Sequence, residues 1–219
     1  MKWVSYGPSS LLFRFAERVG KEALARQRGI VTDLELRPPA GLVEFVPAFT
    51  TILLEFDPKI VPEPKHAAEE LLRRFEAAGK AKLRATTVKE IPVRYDGEDL
   101  EAIAKAAAMT VEKVCQLHCA PVYKVYMLGF SPGFPYLGGL DRRLHTPRLA
   151  SPRAKVRAGS VAIGGEHTGV YTVDSPGGWN IIGHTPLKIF DPLRGDPNGP
   201  DEAMFWLKPG DRVKFVRVN

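Results

Sequence analysis

The stretch LGFSPGFPYLG, residues 128–138, alternates glycine and proline with aromatic residues in an order that neither a regular helix nor a regular strand favours. Glycine supplies backbone angles closed to other residues, whereas proline fixes φ and removes a hydrogen-bond donor. We therefore predict a rigid loop of defined shape here, called the signature loop below. A second such segment, SPGGW, occupies residues 175–179, and 11 of the 20 glycines fall within residues 129–185. This concentration predicts that residues 129–185 form the functional face.

Length and composition limit the kinds of protein that this chain can be. A chain of 219 residues suits one large domain or two small ones, with a real hydrophobic core in either case. Its 44% hydrophobic and 26% charged residues are typical of a soluble globular protein. No apolar run approaches the ~20 residues that span a bilayer, and the first residues lack the apolar core of a signal peptide. We expect a cytoplasmic protein that does not bind membranes.

The net charge of +6 permits an anionic ligand, an acidic partner or nucleic acid. No interleaved basic and aromatic repeat marks a nucleic-acid platform, so we expect no nucleic-acid partner. The densest basic cluster lies in the glycine-rich half and favours a small anionic substrate or an acidic partner surface. Its members are Arg142, Arg143, Arg148, Arg153, Lys155 and Arg157. A solvated charged face is the alternative for Arg142, Arg143 and Lys155.

The first 90 residues alternate strand and helix patterns. Strands are predicted at residues 11–15, 31–36, 43–56 (one or two pieces around Pro47) and 86–93. Helices are predicted at residues 17–28 and 65–78, the second with apolar residues along one face and Gly79 as its stop. The order βαββαβ is that of a ferredoxin-like unit.

The second part begins with helices and then becomes β-rich. Asp96 is predicted to cap a short helix, and a further helix is expected from Thr110 to about Cys119. Strands are expected at residues 122–128, 160–164, 169–173, 180–182, 187–190 and 212–218, which indicates a barrel or sandwich. We place the boundary between Glu90 and Asp96, giving an α+β fold with domains at residues 1–92 and 93–219. The loop at residues 194–201, with two prolines and two glycines, is predicted to be mobile.

Several standard chemical motifs are absent from the sequence. There is no G-x-x-x-x-G-K-[ST] phosphate loop, no G-x-G-x-x-G after a strand and no G-x-S-x-G nucleophile turn. Cys115 and Cys119 flank His118, but a structural zinc site usually needs four ligands at recognisable spacing. We expect no metal and interpret the cysteines as reduced helix residues.

Ordered motifs across the second half resemble one known family. They are residues 118–126, GFxPGFxYLG at 129–138, LHTPR at 144–148, PR at 152–153, AGSV at 158–161, TGVY at 168–171, PGGW at 176–179 and IGHT at 182–185. The family is that of the B subunit of prokaryotic 5-oxoprolinase, which includes the kinase inhibitor KipI and proteins labelled allophanate hydrolase subunit 1. Arg157 and Thr172 stand where relatives usually place proline, which puts local loop shape in question.

The resemblance implies a ferredoxin-like domain followed by a cyclophilin-like β-barrel. It also implies a subunit of an ATP-dependent hydrolase that opens 5-oxo-L-proline, a small anionic amide, to L-glutamate together with A and C subunits. ATP is thus an implied cofactor of the complex, although this chain has no phosphate loop. Alternatives are a KipI-like module that binds a sensor histidine kinase, an allophanate hydrolase subunit and, from the barrel alone, a prolyl isomerase.

Candidate site residues follow from residue chemistry and the motifs. Arginine binds carboxylate or phosphate through a planar fork, which makes Arg148 and Arg153 candidate anion ligands or, alternatively, loop ties. The catalytic candidates are His118, His145 and His184, although His118, on an inward helix face, also suits a core role. The other substrate-binding candidates are Phe130, Phe134, Tyr136, Ser160, Gly177, Gly178, Trp179 and Thr185.

Overall fold

A computed structural model describes residues 1–78, 87–195 and 201–219 of the chain. The chain divides into two units, Met1–Ala85 and Thr86–Asn219. The division lies before the strand Val88–Val93, whereas the predicted boundary at 92/93 lies near its end. Within the described ranges, no helix is long and apolar enough to cross a membrane.

The first unit is a four-stranded antiparallel sheet with two helices. Its strands are β1 (Lys2–Ser5), β2 (Ser10–Arg14), β3 (Leu42–Pro47) and β4 (Thr51–Phe56), in the spatial order β1-β2-β4-β3. Its helices are α1 (Lys21–Leu36) and α2 (Ala68–Ala78), and a 3₁₀ turn at Pro64–Ala67 leads into α2. Alternate residues of β2 and β4 enter the core, where Phe13 meets Phe75 edge to face at 5.0 Å between ring centroids.

The strand predicted at residues 31–36 is wrong, because α1 continues to Leu36. Polar residues between apolar ones suggested a strand, but Ile30 and Leu34 lie four apart and share the buried stripe of the helix. Asp33 is buried beside that stripe, where Arg37 and Arg74 pair with its carboxylate. Tertiary ion pairing therefore allows an acidic residue on the inner face of α1.

The predicted βαββαβ order is not the order observed, which is ββαββα in the first unit. Strand β1 was not predicted, and it lies on the free side of β2 at the edge of the sheet. The expected last strand exists as β5 (Val88–Val93), but it pairs in parallel with a strand of the second unit. Gly79, the predicted helix stop, and Thr86, the predicted strand start, lie outside the described residues.

The second unit begins with β5, α3 (Leu100–Ala106) and α4 (Val111–Cys119). Eight further strands follow: β6 (Tyr123–Leu128), β7 (Pro135–Gly138), β8 (Arg153–Val156), β9 (Ser160–Gly164), β10 (His167–Val170), β11 (Ser175–Gly177), β12 (Asn180–His184) and β13 (Arg212–Arg217). Seven of the strands form one sheet in the order β12-β9-β10-β7-β6-β13-β5, while β8 and β11 make a separate two-stranded ribbon.

This sheet curls into a nearly closed barrel. Its two ends meet just beyond β5, where the Arg94 amide donates to the His184 carbonyl at 2.9 Å and the His184 amide donates back at 2.8 Å. Inward side chains from every strand of the sheet fill the centre, as in small barrels generally. Val161 and Ile163 point into this core, whereas Ala162, between them, faces a second apolar cluster on the outside of β9.

The structure corrects several details of the β-rich part. Residues 135–138 of the signature loop form β7, and residues 187–190 form no strand, with Phe190 making only an isolated bridge to Phe205. Asp99 rather than Asp96 precedes α3, while Thr110 caps α4 by accepting from the Lys113 amide at 3.1 Å. The loop predicted to be mobile lies largely at residues 196–200, outside the described ranges.

The buried Asp33 carboxylate gives a stability prediction for the first unit. Replacing Arg74 with methionine (R74M) leaves the buried Asp33 carboxylate with the exposed Arg37 as its remaining partner, so we expect a loss of about 2 kcal/mol in the free energy of unfolding. Chemical denaturation measures this loss. The neighbouring Arg73 is exposed, and R73M should stay within about 0.5 kcal/mol of the parent. Equal stability of the two variants would contradict the account.

Candidate functional site

A pocket of about 320 Å³ lies in the second unit, and most of its aromatic residues pack with Ala162 of β9 and Ile181 of β12 in one outer cluster. Five aromatic residues, one arginine, one leucine, two prolines and the two glycines of the SPGGW segment line it. They are Phe130, Phe134, Tyr136, Arg148, Leu149, Pro152, Tyr171, Pro176, Gly177, Gly178 and Trp179. The signature loop and the SPGGW segment therefore converge on one cavity.

Phe134 is the centre of the aromatic wall. Its ring lies edge to face against Tyr136, Tyr171 and Trp179, with centroids 5.1, 5.2 and 5.3 Å away. Tyr136 also meets Trp179 at 5.6 Å. Each such pair contributes about 0.5–1.5 kcal/mol beyond area burial, and the geometry restricts every ring. The wall is consequently preformed without a ligand.

Two glycines make room for this wall. A side chain at Gly177 would place its Cβ 2.2 Å from the Tyr171 hydroxyl oxygen, and one at Gly164 would lie 2.4 Å from the Trp179 ring. Both distances are far shorter than van der Waals contact. The motifs need glycine at these positions because aromatic side chains pack directly on the backbone.

Arg148 is the cation of the pocket. Its guanidinium carbon lies 5.9 Å from the centre of the Trp179 ring, and its side chain is exposed. Three neighbours in the basic cluster pair locally: Arg143 with Asp141, Arg153 with Glu98 and Asp99, and Lys155 with Asp174. Arg148 has no ion pair among the described residues, so its fork is available to an anion.

Phe130 forms the rim in a strained conformation. It has φ = 70°, a region that bulky residues rarely adopt, and its side chain is 61% exposed. Its ring lies 5.5 Å from Phe134 and 6.1 Å from Tyr171. Thr172 donates from its hydroxyl to the Pro132 carbonyl at 2.6 Å and ties the signature loop to the chain that follows β10. Strained, exposed aromatic residues are typical of functional sites.

Seven of the predicted site residues meet in this pocket, and six do not. The seven are Phe130, Phe134, Tyr136, Arg148, Gly177, Gly178 and Trp179. The six outside its lining are His118, His145, His184, Arg153, Ser160 and Thr185.

His118 lies in the barrel core, fully buried against Tyr123 and Phe215. Thr168 donates its hydroxyl proton to the Ala162 carbonyl, so it accepts from His118 Nε2 at 2.9 Å. His118 Nδ1 is then the acceptor for the Tyr95 hydroxyl at 2.7 Å. Burial lowers the pKa of His118 from 6.5 to about 3 and keeps the ring neutral. Both ring nitrogens of His118 are therefore engaged in hydrogen bonds within the barrel core, and neither faces the pocket.

The other two histidines lie on the surface. His145 is exposed, and its Nε2 is 3.3 Å from the Leu140 carbonyl. His184, at the end of β12, bonds through Nδ1 to Asp96 at 2.7 Å. Burial opposes ionisation of Asp96, yet hydrogen bonds from His184 and Arg94 hold the pKa of its carboxyl below the ordinary value. Asp96 therefore orients His184 and does not cap a helix.

Arg153 and Thr185 bond to other parts of the second unit, whereas Ser160 is buried away from the pocket lining. Arg153 donates from Nη2 to both carboxylate oxygens of Asp99, at 2.8 and 2.9 Å, and ties β8 to the start of α3. Thr185 is buried and accepts from the Leu187 amide at 3.2 Å. Ser160 is buried too, and its hydroxyl finds no partner within the described ranges.

Sequence reasoning missed Leu149, Pro152, Tyr171 and Pro176, which line the pocket. Tyr171 ends the TGVY motif, and that position within a motif is the signal that could have found it. Pro152 and Pro176 also belong to motifs, whereas Leu149 directly follows the LHTPR motif. Among the described residues, no group of three or more His, Cys, Asp or Glu side chains could hold a metal ion.

The neutral His118 predicts a pH dependence of stability. Because its pKa is about 3 when folded and 6.5 ordinarily, the unfolded chain binds the proton first as the pH falls. The free energy of unfolding should fall by roughly 1.4 kcal/mol per pH unit from this group between those values. Denaturation at several pH values should show a flatter dependence for His118→Gln than for the parent. Parallel curves would contradict the assignment.

Comparison with known proteins places the fold and the motifs in context. A sequence model of the carboxyltransferase domain, subdomain C and D, matches residues 1–199. The B subunit of 5-oxoprolinase from Bacillus subtilis is 38% identical, over 97% of this chain and 91% of that protein.

Two solved structures share the fold. The protein TTHA0988 is 40% identical to this chain, and the two superpose with a TM-score of 0.80. The match covers 96% of this chain but only 40% of the TTHA0988 chain. The urea carboxylase of Kluyveromyces lactis superposes with a TM-score of 0.77 at 20% sequence identity. This match covers 99% of this chain and 22% of the urea carboxylase chain. The family match and the Bacillus subtilis relative show that this chain belongs to the carboxyltransferase subdomain C and D family, which includes the B subunit of 5-oxoprolinase.

Proposed function

We propose that the chain is the B subunit of an ATP-dependent 5-oxoprolinase, acting with A and C subunits to hydrolyse 5-oxo-L-proline to L-glutamate. The observation that carries the proposal is Arg148, unpaired within the described residues, at the mouth of a preformed aromatic pocket. The Bacillus subtilis relative, a 5-oxoprolinase B subunit by name and aligned over nearly the whole chain, supports the choice of reaction.

The pocket suits a small cyclic carboxylate. Its volume of about 320 Å³ is at the low end of the roughly 300–1,000 Å³ found for ligand pockets. The faces of Tyr136 and Trp179 offer an apolar surface to a five-membered ring, and the Arg148 guanidinium offers two parallel donors to a carboxylate.

The pocket does not suit ATP. It holds one arginine and no lysine among its lining residues, and the sequence has no G-x-x-x-x-G-K-[ST] loop. One guanidinium is suited to one carboxylate rather than to a triphosphate. We therefore assign the binding and orientation of the lactam to this chain, and no step of the ATP chemistry.

The proposal predicts an activity that depends on all three subunits. The purified chain alone should form no glutamate from 5-oxo-L-proline, whereas the chain mixed with matching A and C subunits and ATP should. Glutamate release with and without ATP measures this directly. Absence of turnover in the full set, with all three proteins folded, would overturn the proposal.

A substitution of Arg148 tests the role of the pocket in the same assay. Replacing it with methionine (R148M) should raise KM for 5-oxo-L-proline at least tenfold, because a charge-assisted hydrogen-bond pair contributes about 1.5–3 kcal/mol. Arg142 is exposed and outside the pocket, so R142M should leave KM unchanged. An unchanged KM in R148M would show that the pocket does not bind the substrate.

A further inference from the structure

Tyr171 is the pocket residue with the most constrained position. It follows β10, is 1% exposed and lies against both Phe130 and Phe134. Its amide donates to the Ser160 carbonyl at 2.9 Å, and its carbonyl accepts from the Gly159 amide at 2.7 Å. Backbone hydrogen bonds and ring packing together fix the direction in which its side chain points.

The hydroxyl of Tyr171 has no hydrogen-bond acceptor among the described residues. It lies in the space that the missing side chain of Gly177 leaves open, since a Cβ there would be 2.2 Å away. Burial raises the pKa of Tyr171, against the weaker effects of the Trp179 backbone amide and the charge of Arg148, so the hydroxyl keeps its proton. Tyr171 lines the pocket, so its hydroxyl proton is available to an acceptor that enters the pocket.

We propose that the Tyr171 hydroxyl donates a hydrogen bond to a carbonyl oxygen of the ligand whose carboxylate Arg148 binds. This inference rests on the proposed function and adds a residue that determines specificity. Arg148 and Tyr171 line the same pocket, so one small ligand can meet both donors. Together they select small molecules that carry a carboxylate and a second, neutral acceptor on one apolar ring.

The expected selectivity follows from the acceptor that each donor would lack if an analogue were bound. A ring carboxylate without a carbonyl would offer no acceptor to the Tyr171 hydroxyl. A lactam without a carboxylate would leave Arg148 without its anion. Sites built around such donors reject analogues that lack the matching acceptor, because the donor then stays buried and unpaired.

Three probe ligands separate the two donors. They are 5-oxo-L-proline, cyclopentanecarboxylate (no carbonyl in the ring) and 2-pyrrolidinone (no carboxylate). Affinities measured by titration with the full chain should fall about threefold to tenfold in Tyr171→Phe for 5-oxo-L-proline and 2-pyrrolidinone, and stay unchanged for cyclopentanecarboxylate. Arg148→Met should weaken the two carboxylates and spare 2-pyrrolidinone. Tyr6→Phe, an exposed position in the first unit, is the matched control and should change none.

An equal loss for all three probes in Tyr171→Phe would show a general packing role and overturn the inference, as would no loss for any. Failure of the parent chain to bind any probe would overturn it as well. The proposed function fails by a different result, which is the absence of glutamate formation by the three-subunit mixture. The probe pattern in the chain alone is independent of turnover, so the two failures are distinguishable.

Discussion

The candidate site depends on the absence of side chains at two positions. Trp179 lies on the backbone of Gly164, and the Tyr171 hydroxyl occupies the space next to Gly177; a Cβ at either glycine would fall well inside van der Waals contact. With these aromatics in place, Phe134 packs against both of them and the pocket has a fixed wall. Arg148 then lies over Trp179, where it can meet an anion entering the pocket.

The barrel provides the rigid base for this wall. The inner faces of its strands form one core, while the outer faces of β9 and β12 carry Ala162 and Ile181 of the aromatic cluster. Asp99 holds the arrangement from outside, because its carboxylate accepts from the Ile181 amide at 2.7 Å and from Arg153. Sites on regular elements are positioned more precisely than sites on free loops. The glycine-rich turns are therefore short spans between strands that the core already fixes.

Local patterns predicted α2, α4 and a β-rich second part, because helix faces and strand propensities depend on neighbouring residues; the choice of a barrel over a sandwich came from the family resemblance. The partners of β5 could not be predicted in this way. Its sequence fits a strand in either unit, and only pairing with β13, more than a hundred residues away, decides. Asp33 misled the assignment of α1 for the same reason, since its partner Arg74 lies 41 residues further on.

The same limit applies to the site. Arg148 and Arg153 both follow a proline in the sequence, yet Arg153 is neutralised by Asp99, 54 residues away, and Arg148 is not. The place of Tyr171 in the pocket depends on its packing beside Gly177, which is six residues further along the chain in another motif. The most direct measurement is a crystal structure of the chain with 5-oxo-L-proline. The account predicts the ring against Trp179 with its carboxylate on Arg148, and an empty pocket with the ligand bound elsewhere would contradict it.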